Sequence, residues 1–293
     1  MKQITQQRLT IITFLAVPVT LMLFFLMYPT LQLFHYSITN WNGYSSSFDY
    51  IGLDNYTKLF SDFPDAWRAI SNNGLYFIIH TLFLPVELLA AVLLNRTIRG
   101  SGFFRFGVLM PYIINGIAVA FMFSYIYNPI NGPLNEFLRL IGLENLIQSW
   151  LSDLGVVNYS LIAVSIWRFA GVHIVLMLAG LQSIPKDLYE AARIDGANFF
   201  QQIRYITLPG IRTVMEIILF MNLSGALLQY DIPYVMTGGG PGVASSTFGL
   251  FSLQTAFTHN NYGLAASMAV TLLGLIIIFT LIQNWIVKDR SGS

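Results

Sequence analysis

Cysteine is missing altogether from the 293 residues, which excludes a disulfide framework and any thiolate-bound metal centre. Charge is scarce as well. Asp, Glu, Lys and Arg make up 10% of the chain, far below the roughly 25% of a soluble domain, and the net charge is +1. That balance leaves no concentrated basic surface for a nucleic-acid partner. No Walker-type sequence is present, so the chain cannot hydrolyse ATP by itself. No His-Glu-x-x-His or Gly-x-Ser-x-Gly motif points to an intramembrane enzyme either, and the histidines His35, His80, His173 and His259 are scattered. What is abundant is apolar surface, at 55% of residues and a mean hydropathy of +0.62. No single soluble core absorbs so much of it, and the chain reads as an integral membrane protein.

Six windows are long enough to bridge roughly 30 Å of hydrocarbon: residues 9–34, 71–95, 106–127, 159–181, 209–232 and 263–286. Backbone groups in lipid must be satisfied within their own segment, so the expected fold is all-α, a single six-helix membrane domain over 1–293. Pro18, Pro85 and Pro111 are expected to kink their spans. The first window ends in Tyr28-Pro29 and Phe34 rather than at a small-residue cleavage site, and reads as a retained span. Basic residues orient the chain. With the amino terminus inside, Lys2, Arg8, Arg96, Arg99, Arg105, Lys186, Arg193, Arg204, Arg212, Lys288 and Arg290 are cytoplasmic, and only Lys58, Arg68 and Arg139 lie in outer loops. Both termini are then cytoplasmic.

The segment between the fourth and fifth spans, 183–209, is the long polar run of the chain. Ser183 is placed to cap a helix with Pro185 in its first turn, Asp187 and Glu190 suit the positive helix end, and Gly196 permits a break. A second helix is expected from about Asn198 to Leu208-Pro209, with Leu188, Ala191, Ala192 and Ile194 as an apolar face. Read locally, this is either an ordinary loop or a knob built for a soluble partner to grip.

Glu190-Ala191-Ala192, with Asp195-Gly196-Ala197, Ile206 and Leu208-Pro209 at fixed spacing after it, resembles the Glu-Ala-Ala loop of permease subunits of binding-protein-dependent ATP-binding-cassette importers. The resemblance implies that these residues form a coupling helix on a cytoplasmic ATPase. It further implies a second homologous permease subunit, two ATPase subunits carrying the ATP and Mg, and an external sugar-binding protein. The chain itself is then neither an enzyme nor a cofactor protein, and it sits in the cytoplasmic membrane of a bacterium or archaeon.

The outer loops add to this. The first, about 35–70, carries Trp41-Asn42-Gly43, Ser45 to Ser47 and Gly52-Leu53-Asp54-Asn55-Tyr56, and reads as a capping subdomain or as a docking surface for the binding protein. The second holds two short amphipathic stretches, Pro133 to Ile141 and Glu144 to Leu151, which lie on the membrane or pack over the bundle. In the third, Thr237-Gly238-Gly239-Gly240-Pro241-Gly242 lacks the Lys-Ser/Thr of a phosphate loop and reads as a tight turn. A Thr-Gly-Gly-Gly-Pro run there resembles the carbohydrate branch, similar to the larger maltose-permease subunit type.

Ionisable residues inside spans are costly and therefore suspect: Glu87, Arg168, His173, Glu216 and Asp231. Arg168 and His173 point about 140° apart on a helix and need not share a site. Asn222, Ala226 and Gln229 form one stripe. The resemblance assigns Asn222 and Gln229 to the sugar pathway, with Trp167, Arg168, Phe169, Val172 and His173 beside them; Ala226 stands where a polar residue is expected. Simple interhelical packing is the alternative for each. A glycerol-phosphate permease is a further alternative within the family, and an autonomous ion-coupled transporter, using Glu87, Arg168, His173 and Glu216, is one outside it.

Overall fold

A computed structural model describes residues 2–95 and 100–288. Arg96, Arg99 and Arg290, used above for orientation, lie outside the described residues. The described chain is almost wholly helical, as a backbone without water partners requires. In order it forms α1 (Ile11–Ser37, with a π turn at Leu23–Met27), α2 (Asp54–Ser61), α3 (Pro64–Leu94), α4 (Ser101–Ile113), α5 (Gly116–Ile126), α6 (Pro133–Leu140), α7 (Val157–Ser183) and α8 (Lys186–Ile194). Then come α9 (Phe199–Gly210, with a π turn at Ile203–Thr207), α10 (Arg212–Leu228), α11 (Asp231–Thr237), α12 (Phe248–Phe257) and α13 (Tyr262–Lys288).

Four of these, α1, α3, α7 and α13, are long and apolar enough to cross a membrane, and there are up to six crossings if each of two bent pairs is one span. The bent pairs correct two sequence expectations. The third window is not one proline-kinked helix: α4 runs through Pro111, and the break falls at Ile114–Asn115, where α5 leaves at 94°. The cause is a new helix start, because the Asn115 side chain accepts the Ile117 N–H at 2.9 Å. The fifth window likewise does not run to 232. It turns by 76° at Ile211, stops at Leu228, and Asp231 opens a separate short helix.

The residues group into two compact units. One comprises Met1–Pro64 with Ser252–Gly274. Within it the first outer loop is tied by Asn55, whose amide donates to the carbonyls of Ser37 (2.9 Å) and Thr39 (2.8 Å), and by stacking of Tyr36 on Trp41. Gly43, in the left-handed region at φ +86°, lies so close to the Tyr262 ring that a Cβ would collide with it. The other unit comprises Asp65–Phe251 with Leu275–Ser293. Its first apolar cluster joins Tyr76, Val119, Leu161, Val164, Ala226 and Ile232. Its second joins Leu84, Ala91, Met177, Leu181, Ile211 and Ile218. These clusters carry the two candidate sites.

Candidate functional sites at the exposed corner and the buried cavity

The exposed corner begins with a correction. Ser183 does not cap α8; it is the last residue of α7 and donates back to the Gly180 carbonyl at 2.7 Å, while Pro185 holds the cap position. Asp187 in the first turn and Arg193 in the last match the helix dipole. The helix ends in a Schellman motif: Ala197 N–H donates to the Ala192 carbonyl (2.8 Å) and Gly196 N–H to that of Arg193 (3.2 Å). This closure requires a left-handed residue, and Gly196 supplies it at φ +79°. Asn198 and Gln201 then form a capping box that starts α9.

The root of this corner is fixed. Ile184 and Ile211 are buried in the second cluster with Ile206 packed against it, and the Tyr189 hydroxyl bonds that of Thr207 at 3.0 Å across α8 and α9. The tip is not covered. Glu190, Ala191, Asp195, Gly196, Leu208 and Pro209 are exposed, Ala192 and Ala197 half-buried, and the large apolar side chains Ile194 and Phe200 are 87% and 79% exposed. Beside the tip a cavity of about 520 Å³ is lined by Lys186, Tyr189, Glu190, Arg193 and Gln202 among others. A charged surface with bare apolar side chains at its crest is suited to a protein partner.

The second site lies among α3, α4, α7 and α10, around a cavity of about 80 Å³. Of the residues chosen from sequence, Asn222, Gln229, Phe169 and His173 line it. The structure adds Tyr76, His80, Tyr112 and Ser165. Gln229 reaches the cavity although it lies beyond the end of α10, in extended backbone, its amide donating to Asp231 Oδ1 at 2.8 Å. His173 Nδ1 pairs with Glu87 Oε2 at 3.0 Å, with both side chains buried, and His80 Nε2 meets Ser165 Oγ at 3.0 Å. Tyr76, His80 and Glu87 stand at i, i+4 and i+11 on one face of α3, a periodicity readable in the sequence that would have marked this wall. The hydroxyl of Tyr76 and the amide nitrogen of Asn222 are buried and have no protein partner.

Arg168, Trp167 and Val172 are not on this wall. Arg168 forms an ion pair with Asp231 at 2.8 Å, packed so tightly against Gly116 that a Cβ there would strike both side chains. Trp167 packs edge-on against Phe123, 5.1 Å between centroids. Val172 is half-buried outside the cavity lining. Glu216 pairs with Arg212 one turn away at 2.9 Å. Among the described residues no cluster of His, Asp and Glu could hold a metal. The cavity offers aromatic faces and hydrogen-bonding groups, and it is well below the 300–1,000 Å³ of a typical ligand pocket.

The polytopic helical fold, the exposed corner after α7 and the polar-lined cavity within the helices define a membrane transport component. Residues 84–292 match the family of binding-protein-dependent transport system inner membrane components, and the chain belongs to it. It is 37% identical to the Probable ABC transporter permease protein YurN of Bacillus subtilis, over 91% of this chain and 92% of that one. It is 30% identical to the trehalose/maltose transport system permease protein MalF of Thermococcus litoralis, over 90% and 88%. Its fold matches a chain of the bacterial alginate ABC transporter solved in complex with an alginate pentasaccharide-bound periplasmic protein. There the TM-score is 0.85 at 23% identity, covering 100% of this chain and 98% of that one.

Proposed function

We propose that this chain is a six-span permease subunit of an ATP-driven importer, with α4–α5 and α9–α10 as bent spans, both termini in the cytoplasm and the whole of 1–293 acting as one transmembrane domain. With a second, homologous permease subunit it forms the path for a sugar, an oligosaccharide in particular, delivered by an external binding protein. The substrate class is supported by the relative named for trehalose/maltose transport and by a cavity wall of aromatic rings and hydrogen-bonding groups. Asn222, Gln229, Phe169 and His173 are its sugar-facing residues, joined by Tyr76 and His80. The 80 Å³ space is completed by the partner subunit and widened when access alternates.

The observation that carries the energy-coupling role is the exposed tip on a rigid root. Glu190, Ala191, Ala192, Asp195, Gly196 and Ala197 stand on the surface above Ile206, Ile211 and the Tyr189–Thr207 bond. A partner pushing on α8 therefore moves α7 and α9 rather than bending a loop. Two separate ATPase subunits, which hold ATP and Mg, supply that push, one here and one on the partner permease.

Purification with co-expressed neighbours tests this reading: an ATPase should accompany the chain, and its absence overturns the proposal. In the assembled importer, Gly196→Val should abolish uptake and substrate-stimulated ATP hydrolysis while the binding protein still retains its sugar. Unchanged uptake removes the role of the corner.

A further inference from the structure

The short helix α6, in the connection between α5 and α7, keeps large apolar side chains on its outward face as well as its inward one. One polar residue, Asn135, points inward, while Glu136 and Arg139 face outward as an ion pair: Asn135 is buried, donates to the carbonyls of Pro129 (3.3 Å) and Gln148 (3.2 Å), and accepts the Trp150 indole N–H at 2.8 Å. Leu138 is buried beside it and Leu134 packs on the first apolar cluster. The opposite face carries Phe137, Leu140 and Ile141, exposed at 57%, 84% and 50%. Leu143 and Leu146 extend the bare apolar surface past the end of the helix. In water Phe137, Leu140 and Ile141 would stay uncovered.

The flanking helices say what covers that face. Tyr125, in the last turn of α5, and Tyr159, in the first turn of α7, are 67% and 56% exposed. Exposed tyrosines at the ends of apolar helices mark the level of the membrane–water boundary. The connection leaves and re-enters at that level, and its charges, Glu136, Arg139, Glu144 and Asp153, are few and mostly acidic, with Arg139 bonded to Glu136. A basic patch for anionic headgroups is lacking, so the face suits the acyl region beneath zwitterionic headgroups.

We propose that α6 is an interfacial helix whose Phe137, Leu140 and Ile141 are immersed at the headgroup–acyl boundary of the bilayer, with Asn135 as the internal bolt that holds it in that orientation. It then belongs to the lipid-facing surface and not to the docking surface for a soluble protein.

The absence of cysteine makes the test direct. The full chain carrying Leu140→Cys is labelled with a nitroxide and reconstituted in phosphatidylcholine nanodiscs, and collisions with oxygen and with a water-soluble nickel chelate are compared. Ile278→Cys in α13 serves as the lipid control and Leu188→Cys in α8 as the aqueous control; all three positions are more than half exposed, so labelling leaves packing intact. The oxygen-to-nickel ratio at position 140 should lie severalfold above the aqueous control and close to the lipid control, and Phe137→Cys should give the same result. A ratio equal to the aqueous control overturns the proposal. So does protection from both reagents on adding a soluble binding protein, which assigns the face to a protein partner.

Discussion

Two segments of this chain leave helices at glycine corners, and they dispose of their polar groups in opposite ways. Between α10 and α12 the backbone is buried: Ser245, Ser246 and Thr247 have essentially no exposed surface. Side chains from other helices satisfy it. Asn72 donates to the carbonyls of Ala244 (2.9 Å) and Ser246 (2.8 Å), and Asn158 reaches Ala244 as well. Asn73 donates to Ala226 and Leu227, closing the end of α10, while its oxygen accepts the Phe248 N–H at 2.8 Å. Between α7 and α10 the corner satisfies its backbone locally, by the Schellman motif and the capping box, and leaves its side chains outward. Irregular backbone inside a helix bundle needs polar residues sent to it from the spans; a surface corner does not. Buried polarity among these helices is therefore partly scaffolding, and only some of it lies at the cavity.

The contrast can be broken from the buried side. Glu87→Leu should have the largest effect, because it strands the buried His173 imidazole: about 3–5 kcal/mol of stability lost, seen as a fall in the thermal midpoint of the purified chain. Combining it with His173→Leu should recover most of the loss; no recovery would mean that Glu87 acts through something other than the pair. Asn73→Leu should cost about 2–3 kcal/mol by unpairing the Phe248 N–H and the end of α10, and proteolysis between 229 and 251 should rise with it. Gly116→Ala forces apart Arg168 and Asp231 and should cost about 1–3 kcal/mol, with uptake falling because Gln229 is anchored on Asp231. From the exposed side, Ile194→Ser and Phe200→Ser should leave the unfolding free energy within about 0.5 kcal/mol of the original. They should instead weaken retention of the ATPase by about tenfold in a pull-down titration. Equal destabilisation from both segments would erase the distinction.

Much of the corner was legible because its determinants are local. Gly196, the Asn198–Gln201 box and the dipole-matched charges act within a few residues of one another, and only the capping role of Ser183 was misplaced. The cavity was half legible. The resemblance points to Asn222, Gln229, Phe169 and His173, which line the cavity, and equally to Arg168, Trp167 and Val172, which do not. Their neighbours in sequence share a helix but not a face, and Arg168 turns to Asp231, 63 positions away. The bends had a different cause from the expected one: Asn115 starts a new helix, whereas Pro111 is accommodated inside α4.

The sequence by itself determined that this chain lives among lipid, that its backbone is helical there, and that one polar corner carries a family's motif, because hydrophobicity, helix capping and glycine torsions are short-range properties. Which polar side chains meet was decided only by tertiary structure. Glu87 with His173, His80 with Ser165, Arg168 with Asp231 and Asn73 with the end of α10 are partners on different elements. A buried polar group takes whichever partner the packing brings within about 3 Å, and no periodicity along one helix encodes that choice.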